Sequence, residues 1–276
     1  MMISPSTILA TRLRVGLLFS ALLVCSLMPR PVLAQNLIDT EWDLRPVEQA
    51  AARDTQGPAT IYGMPLPPAG DFDIPLADPA ATVAKIKTAL AHVFQHSQVA
   101  AAGIERLARY GTIKIIYDAA FPKPSLNRVV IAGFMPQEFT PQLGKKDFTV
   151  LVGRFGANWE VDELAAALVH ELIGHGIQRL ENRFGHDRPI DLECEARLWQ
   201  QMYFTDADMP QDTRYMVDFR NTTDRLVCHD FRRFVAKAKP KMMAAWDRGR
   251  PDMPGLLGVF QQYYALLRQP RRRSRE

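Results

Sequence analysis

The residues best suited to carry chemistry lie in the stretch HELIGH, which runs from His170 to His175. Hydrolytic zinc sites use imidazoles to bind the ion and a nearby carboxylate to take a proton from water. Glu171 follows the first histidine directly, where such a carboxylate normally stands. In the familiar signature H-E-x-x-H the histidines are four residues apart and share one helix face. Here they are five apart, which rotates the two side chains about 140° from each other on an ideal α-helix.

A local widening of the helix would restore the spacing. A π-type bulge absorbs one extra residue and would bring His175 to within about 40° of His170. Gly174 stands directly before His175, and glycine tolerates the backbone distortion that a bulge requires. The sequence therefore predicts a bulged helix at Gly174 with both imidazoles on one face.

HELIGHG resembles the H-E-x-x-G-H motif of dipeptidyl peptidase III, a zinc exopeptidase family with the same spacing and the same glycine. LECEAR, residues 192–197, is similar to the E-E-C-R-A-E motif that supplies the third ligand in that family. Gluzincin peptidases more broadly carry a Glu-x-x-small pattern on a second helix. The resemblance is confined to these two motifs. It implies Glu171 as the general base and a Zn²⁺ site with three ligands: His170, His175 and Glu193.

Glu195 is the alternative third ligand. The amphipathic pattern of its helix turns Glu195 towards the core, whereas Glu193 could form a salt bridge with Arg197 on a solvated face. The peptidase pattern favours Glu193, because the small Ala196 would allow the two helices to approach closely. Gluzincins often have an acid where Arg197 stands here, and that acid orients a histidine. We expect this support to come from another carboxylate, for example Glu195 or Asp191.

The first 34 residues predict a secretory signal peptide. Arg12 and Arg14 precede an apolar run over residues 15–28, which is shorter than the roughly 20 residues that a membrane-spanning helix needs. We expect cleavage after Ala34, a periplasmic or secreted product, and no transmembrane span in the mature protein. Cleavage would remove three arginines and no acids, and would lower the formal charge from +4 to +1.

Composition and cysteine content agree with an exported globular protein. The chain is 47% hydrophobic and 23% charged, which is ordinary for a domain with a sizeable core. Nothing in it resembles a basic nucleic-acid-binding face with interleaved aromatics, so we expect no nucleic-acid partner. Cys194 and Cys228 remain after cleavage, and we predict that they form a disulfide in an oxidising compartment. Two buried free thiols are the alternative.

The remaining pattern predicts an α+β, zincin-like fold, with a small mixed sheet followed by a metal-binding helix, a glutamate helix and a mostly helical C-terminal part. We expect three segments after the signal peptide: an extended Pro-rich lead-in over residues 35–77, a zincin-like metallopeptidase domain over 78–268, and a basic disordered tail over 269–276. Asn158 is the predicted N-cap of the metal-binding helix. The other predicted elements are one or two helices over 79–110, strands over 112–118, 128–134 and 148–153, and helices over 189–204, 224–238 and 254–267.

Together these features predict an exported zinc-dependent metallopeptidase, a hydrolase that cleaves peptide bonds with a metal-activated water and Glu171 as general base. The substrate would be a peptide or protein, with a cell-wall peptide as an alternative. The competing hypothesis is a non-catalytic exported zinc-binding or envelope assembly protein with a degenerate peptidase site, which the departure at Arg197 favours. The residue that would stabilise an oxyanion stays open among four candidates: His186, Tyr203, Tyr215 and His229.

Overall fold

The structure is a computed structural model, and it describes residues 44–68, 70, 72–123, 129–135, 147–249 and 251–268. The predicted signal peptide, its cleavage site after Ala34 and the basic tail over 269–276 lie outside these residues. Among the helices that are described, none is both long enough and apolar enough to cross a membrane.

The described residues form a mixed sheet, with two helices between its second and third strands and further helices after its last strand. The strands are β1 (Ala52–Gln56), β2 (Ala59–Gly63), β3 (Thr112–Tyr117), β4 (Ala132–Met135) and β5 (Asp147–Val152). The helices are α1 (Pro79–His96), α2 (Gln98–Tyr110), α3 (Arg154–Ala157), α4 (Val161–Val169), α5 (Gly176–Leu180), α6 (Pro189–Asp206), α7 (Arg214–Thr222), α8 (His229–Ala238), α9 (Pro240–Asp247) and α10 (Met253–Leu267). Two π-helical segments accompany them, His170–His175 between α4 and α5 and Thr223–Val227 after α7.

The five strands are ordered β1-β2-β3-β5-β4. The three central strands run parallel, while β1 and β4 pair antiparallel at the two ends of the sheet. Phe134 of β4 lies opposite Val150 of β5. This confirms the α+β class and the small mixed sheet that the sequence predicts.

Strands β3 and β5 lie where the sequence places them, and β4 covers only the second half of its predicted segment. Strands β1 and β2 lie within residues 35–77, which the sequence analysis treats as extended lead-in, so both were missed. No residue of β1 is buried. An exposed end strand carries little of the hydrophobic alternation by which strands are recognised.

The stretch over residues 79–110 is two helices, because Ser97 interrupts it. The Ser97 backbone is extended, and its hydroxyl accepts a hydrogen bond from Ala100 N at the start of α2. The predicted N-cap at Asn158 is wrong. Asn158 ends α3, where its side-chain amide donates to Arg154 O, and Glu160 occupies the N-cap of α4. Helices α7 and α9 were not predicted.

Helix α6 lies between two apolar clusters. Leu192 and Phe204 belong to the main core, which the sheet shares with α1, α2 and α4. Leu198 and Met202 belong to a second cluster, built with the helices that follow α6. Because both sides of α6 are buried, the helix has no single apolar stripe. An amphipathic argument cannot decide which of its side chains face a site.

Candidate metal centre

The predicted bulge is present at the histidine pair. Residues His170–His175 are π-helical and continue α4 into α5. The wider turn brings the two imidazoles onto one side, with their ring centroids 4.9 Å apart. The spacing of five residues in the sequence is therefore compatible with a shared site.

Gly174 serves a different purpose from the predicted one. Its backbone is not among the positive-φ glycines of the described residues, so the bulge demands no unusual conformation there. A Cβ on Gly174 would instead lie 2.5 Å from the Ala196 Cβ and 2.6 Å from its Cα. Two helices approach this closely only where side chains are minimal. Gly174 and Ala196 together allow α6 to lie directly against the histidine segment.

This contact brings Glu193 to the imidazoles. Its Oε2 lies 3.5 Å from His170 Nε2, and its Oε1 lies 3.2 Å from His175 Nε2. Ligand atoms of all three side chains lie within 4.8 Å of one another, and the three side chains are buried. Tetrahedral zinc with bonds of roughly 2.0–2.1 Å would hold its ligand atoms about 3.3 Å apart.

The donor set fits a divalent cation. Glu193 Oε1 is buried and makes no hydrogen bond with the described residues, in spite of its short distance to His175. The two groups thus face each other as ligands around one ion would. Two imidazoles and a carboxylate suit zinc and also other divalent transition metals, so the geometry indicates a metal site without selecting the metal.

The charges of the group favour a cation. Burial raises the pKa of Glu193, but the neighbouring His170 and His175 outweigh it and hold that pKa below its ordinary value. Burial likewise lowers the pKa of His175, but Glu193 outweighs it and the pKa is raised. The carboxylate is therefore ionised and stabilises positive charge at the imidazole nitrogens, which is the position that a bound cation would take.

Glu195, the alternative third ligand, is directed elsewhere. Its Oε2 accepts hydrogen bonds from Arg183 at 2.6 Å and from Gln178 at 3.0 Å, and its Oε1 accepts one from Gln261 at 2.8 Å. Burial raises its pKa, against the opposing charge of Arg183. Asp191 accepts hydrogen bonds from Arg188 and Tyr263. Glu195 and Asp191 are therefore both engaged outside the three-residue group.

Gln178 connects Glu195 to His175 and was missed in the sequence analysis. Its Oε1 lies 2.9 Å from His175 Nδ1, while its Nε2 donates to Glu195. The signal available in the sequence was the spacing, since residues three apart on a helix are neighbours. His170 differs, because its Nδ1 is buried and has no hydrogen-bond partner within the described residues.

Glu171 is held by the end strand of the sheet. Its Oε2 accepts a 2.7 Å hydrogen bond from Phe134 N in β4, and its Oε1 lies 4.0 Å from His170 Nε2. The backbone of β4 therefore fixes one carboxylate oxygen and leaves the other beside the group. A sequence pattern names side chains and gives no sign of a backbone donor.

The group is almost closed to solvent. His170 is 6% exposed, Glu171 and His175 are each 4% exposed, and Glu193 is 3% exposed. A groove of about 410 Å³ is lined by residues that include Glu195, Gln261, Trp199 and Arg106. This groove therefore opens beside Glu195.

Arg197 and two of the candidate oxyanion donors have other partners, whereas the buried Tyr203 hydroxyl has no hydrogen-bond partner among the described residues. Arg197, which stands where gluzincins often have an acid, places its guanidinium 5.1 Å from the Phe219 ring centroid. Among the proposed oxyanion donors, the Tyr215 hydroxyl accepts a hydrogen bond from Gln200, and His229 pairs with Asp230. These contacts engage Arg197, Tyr215 and His229 with residues outside the three-residue group.

Comparisons of the chain with protein-family models, with curated proteins and with solved structures find no significant match.

Proposed function

We propose that this protein is an exported, zincin-like zinc metallopeptidase that hydrolyses peptide bonds. The observation that supports this most directly is the convergence of His170, His175 and Glu193 with a second carboxylate, Glu171, beside them. Three ligands of this kind and an adjacent carboxylate are what metal-assisted hydrolysis requires.

The residues would divide the work as follows. His170, His175 and Glu193 would hold the zinc ion, which when bound supplies a Lewis acid and lowers the pKa of water. Glu171 would accept the proton of the attacking water and later deliver it to the leaving amine. Because Phe134 N holds Oε2 of Glu171, the free Oε1 would carry the proton.

One specific observation favours the non-catalytic alternative, an exported zinc-binding or envelope assembly protein. The four residues of the group are only 3–6% exposed, and Phe134 N is occupied by Glu171. A substrate would have to reach side chains that are almost closed to solvent. A structural metal site, in contrast, is closed and needs no open position.

The decisive experiment combines metal analysis with a general-base variant. We expect the purified protein to bind one zinc ion and to lose it on the change His170→Ala. Glu171→Gln should keep the zinc and lose about 10²–10⁴-fold in hydrolysis of casein and of peptide libraries, since it removes the proton acceptor. Glu163→Gln is the matched control: it changes a glutamate of the preceding helix, α4, which lies outside the group.

Each outcome separates two hypotheses. If Glu171→Gln still cleaves at the wild-type rate, the assigned mechanism is wrong. If the wild type binds no metal, the site assignment is wrong. Zinc binding without cleavage of protein, peptide or cell-wall fragments supports the non-catalytic alternative, and cleavage of wall fragments alone identifies a cell-wall peptide as substrate.

A further inference from the structure

We propose that Gln178 and Glu195 are positioning residues that fix the tautomer of His175, so that Nε2 is the nitrogen offered to a cation. This inference rests on the metal site of the proposed function and is independent of peptide hydrolysis. It concerns hydrogen bonds behind the imidazole, on the side away from Glu193.

The orientation of the Gln178 amide determines the tautomer. Its nitrogen lies 2.9 Å from Leu192 O and 3.0 Å from Glu195 Oε2. The Leu192 carbonyl oxygen can only accept a hydrogen bond, and the same is true of an ionised Glu195 carboxylate. The amide nitrogen must therefore face them, which directs the amide oxygen to His175 Nδ1 at 2.9 Å. That oxygen can only accept, so Nδ1 carries a hydrogen, and Nε2 is the nitrogen that offers a lone pair when the imidazole releases its other proton to bind a cation.

The opposite amide orientation is excluded by its contacts. It would place the Gln178 oxygen against Leu192 O and Glu195 Oε2, and its NH₂ group against His175 Nδ1. The imidazole hydrogen would then move to Nε2, which faces Glu193, and Nε2 could no longer bind a cation. Gln178 is fully buried, so the two oxygen contacts would lie away from bulk solvent and would be costly.

Glu195 is itself held in place by Arg183 and Gln261, in addition to Gln178. Arg183, which is 1% exposed, donates to it at 2.6 Å and also binds Asp187. Gln261 of α10 donates to its other oxygen at 2.8 Å. The hydrogen-bond chain therefore runs from the C-terminal helix through Glu195 and Gln178 to His175. His170 has no such chain at its Nδ1 among the residues that the structure describes.

The test uses full-length zinc-loaded protein with ¹⁵N-labelled histidine. Long-range ¹H–¹⁵N spectra should show a protected Nδ1 proton on His175, bound to zinc through Nε2. Gln178→Leu should weaken zinc affinity about 10–100-fold, as expected for a group that orients a ligand, and should abolish the protection of the Nδ1 proton. Gln178→Glu, as a neutral carboxylic acid, can still accept from His175 and donate to Glu195, and should restore the protected proton.

Surface variants keep the test valid if changes at Gln178 impair folding. Gln261→Leu removes the exposed donor at the start of the hydrogen-bond chain to His175. It should weaken zinc affinity by a smaller factor than Gln178→Leu does. Gln262→Leu, the adjacent exposed glutamine, should have no effect. The proposal is overturned if His175 binds zinc through Nδ1, or if Gln178→Leu leaves both affinity and proton exchange unchanged. A zinc-loaded protein that shows the expected signals but cleaves nothing contradicts the proposed peptidase activity alone.

Discussion

Two glutamates one residue apart on α6 have entirely different surroundings. Glu193 faces His170 and His175, whereas Glu195 is bound by Arg183, Gln178 and Gln261. The peptidase pattern in the sequence favoured the first, and helix amphipathicity favoured the second. Amphipathicity pointed to Glu195, which lies outside the three-residue group, because α6 is buried on both sides. A core-facing position on this helix therefore carries no information about the site.

This contrast predicts two distinct phenotypes. Glu193→Gln keeps the side-chain shape but removes a charged ligand, and zinc affinity should fall at least about 100-fold, beyond the 10–100-fold range of residues that only orient ligands. Glu195→Gln removes the negative charge closest to the buried Arg183, and the free energy of unfolding of metal-free protein should fall by about 3–5 kcal/mol. Zinc titration and urea unfolding measure the two effects. A reversal, with zinc lost mainly in Glu195→Gln, would contradict the assignment.

At the scale of elements, the sequence predicted where the histidine helix widens, but it did not predict what Gly174 contributes there. The spacing of five positions from His170 to His175 was sufficient to predict the π-helical segment, because only a widened turn returns both imidazoles to one face. The role of Gly174 could not be read in the same way. It depends on Ala196 of another helix, and a contact between helices does not appear in either local pattern.

The other failures have a similar origin. Strand β1 buries none of its residues, and the N-cap at Asn158 was misplaced because the short helix α3 intervenes. Glu171 is oriented by the backbone of Phe134, which any residue type could supply. The histidine pair was thus predictable from local spacing and Glu193 from the motif resemblance, whereas their supports depend on tertiary packing.

The helix contact at Gly174 gives a prediction of its own. Gly174→Ala would place a methyl group 2.5 Å from the Ala196 Cβ, and overpacking of this kind costs about 1–3 kcal/mol or more. Glu193 would also be displaced from the histidines, so zinc affinity should fall together with the free energy of unfolding. Gly258→Ala is the control, since no atom lies within 4 Å of its added Cβ, and replacing a helical glycine should stabilise by up to about 1 kcal/mol. Equal melting temperatures for the two variants would refute the close contact.

At the scale of the whole molecule, a disulfide joins the site helix to the helices behind it. Cys194 lies between Glu193 and Glu195 on α6, and it pairs with Cys228, which follows the second π-helical segment. This confirms the predicted pairing. Both cysteines are 1% exposed and lie within the second apolar cluster. The cross-link therefore holds α6 against that cluster while the other side of α6 contacts the histidine segment.

Removing this cross-link should lower stability more than it disturbs the site. The cysteines are 34 residues apart, and closing a loop of this length contributes about 4 kcal/mol on the chain-entropy model. The double variant Cys194→Ala, Cys228→Ala should therefore melt about 8–16 °C below wild type in calorimetry. Bound zinc should raise the melting temperatures of the wild type and of the double variant by mass action, and the difference between the two should stay the same. Thiol labelling of the folded wild type, or equal melting of the two proteins, would show that the cysteines do not carry this stabilisation. A large loss of zinc affinity in the double variant would show that the disulfide also positions Glu193.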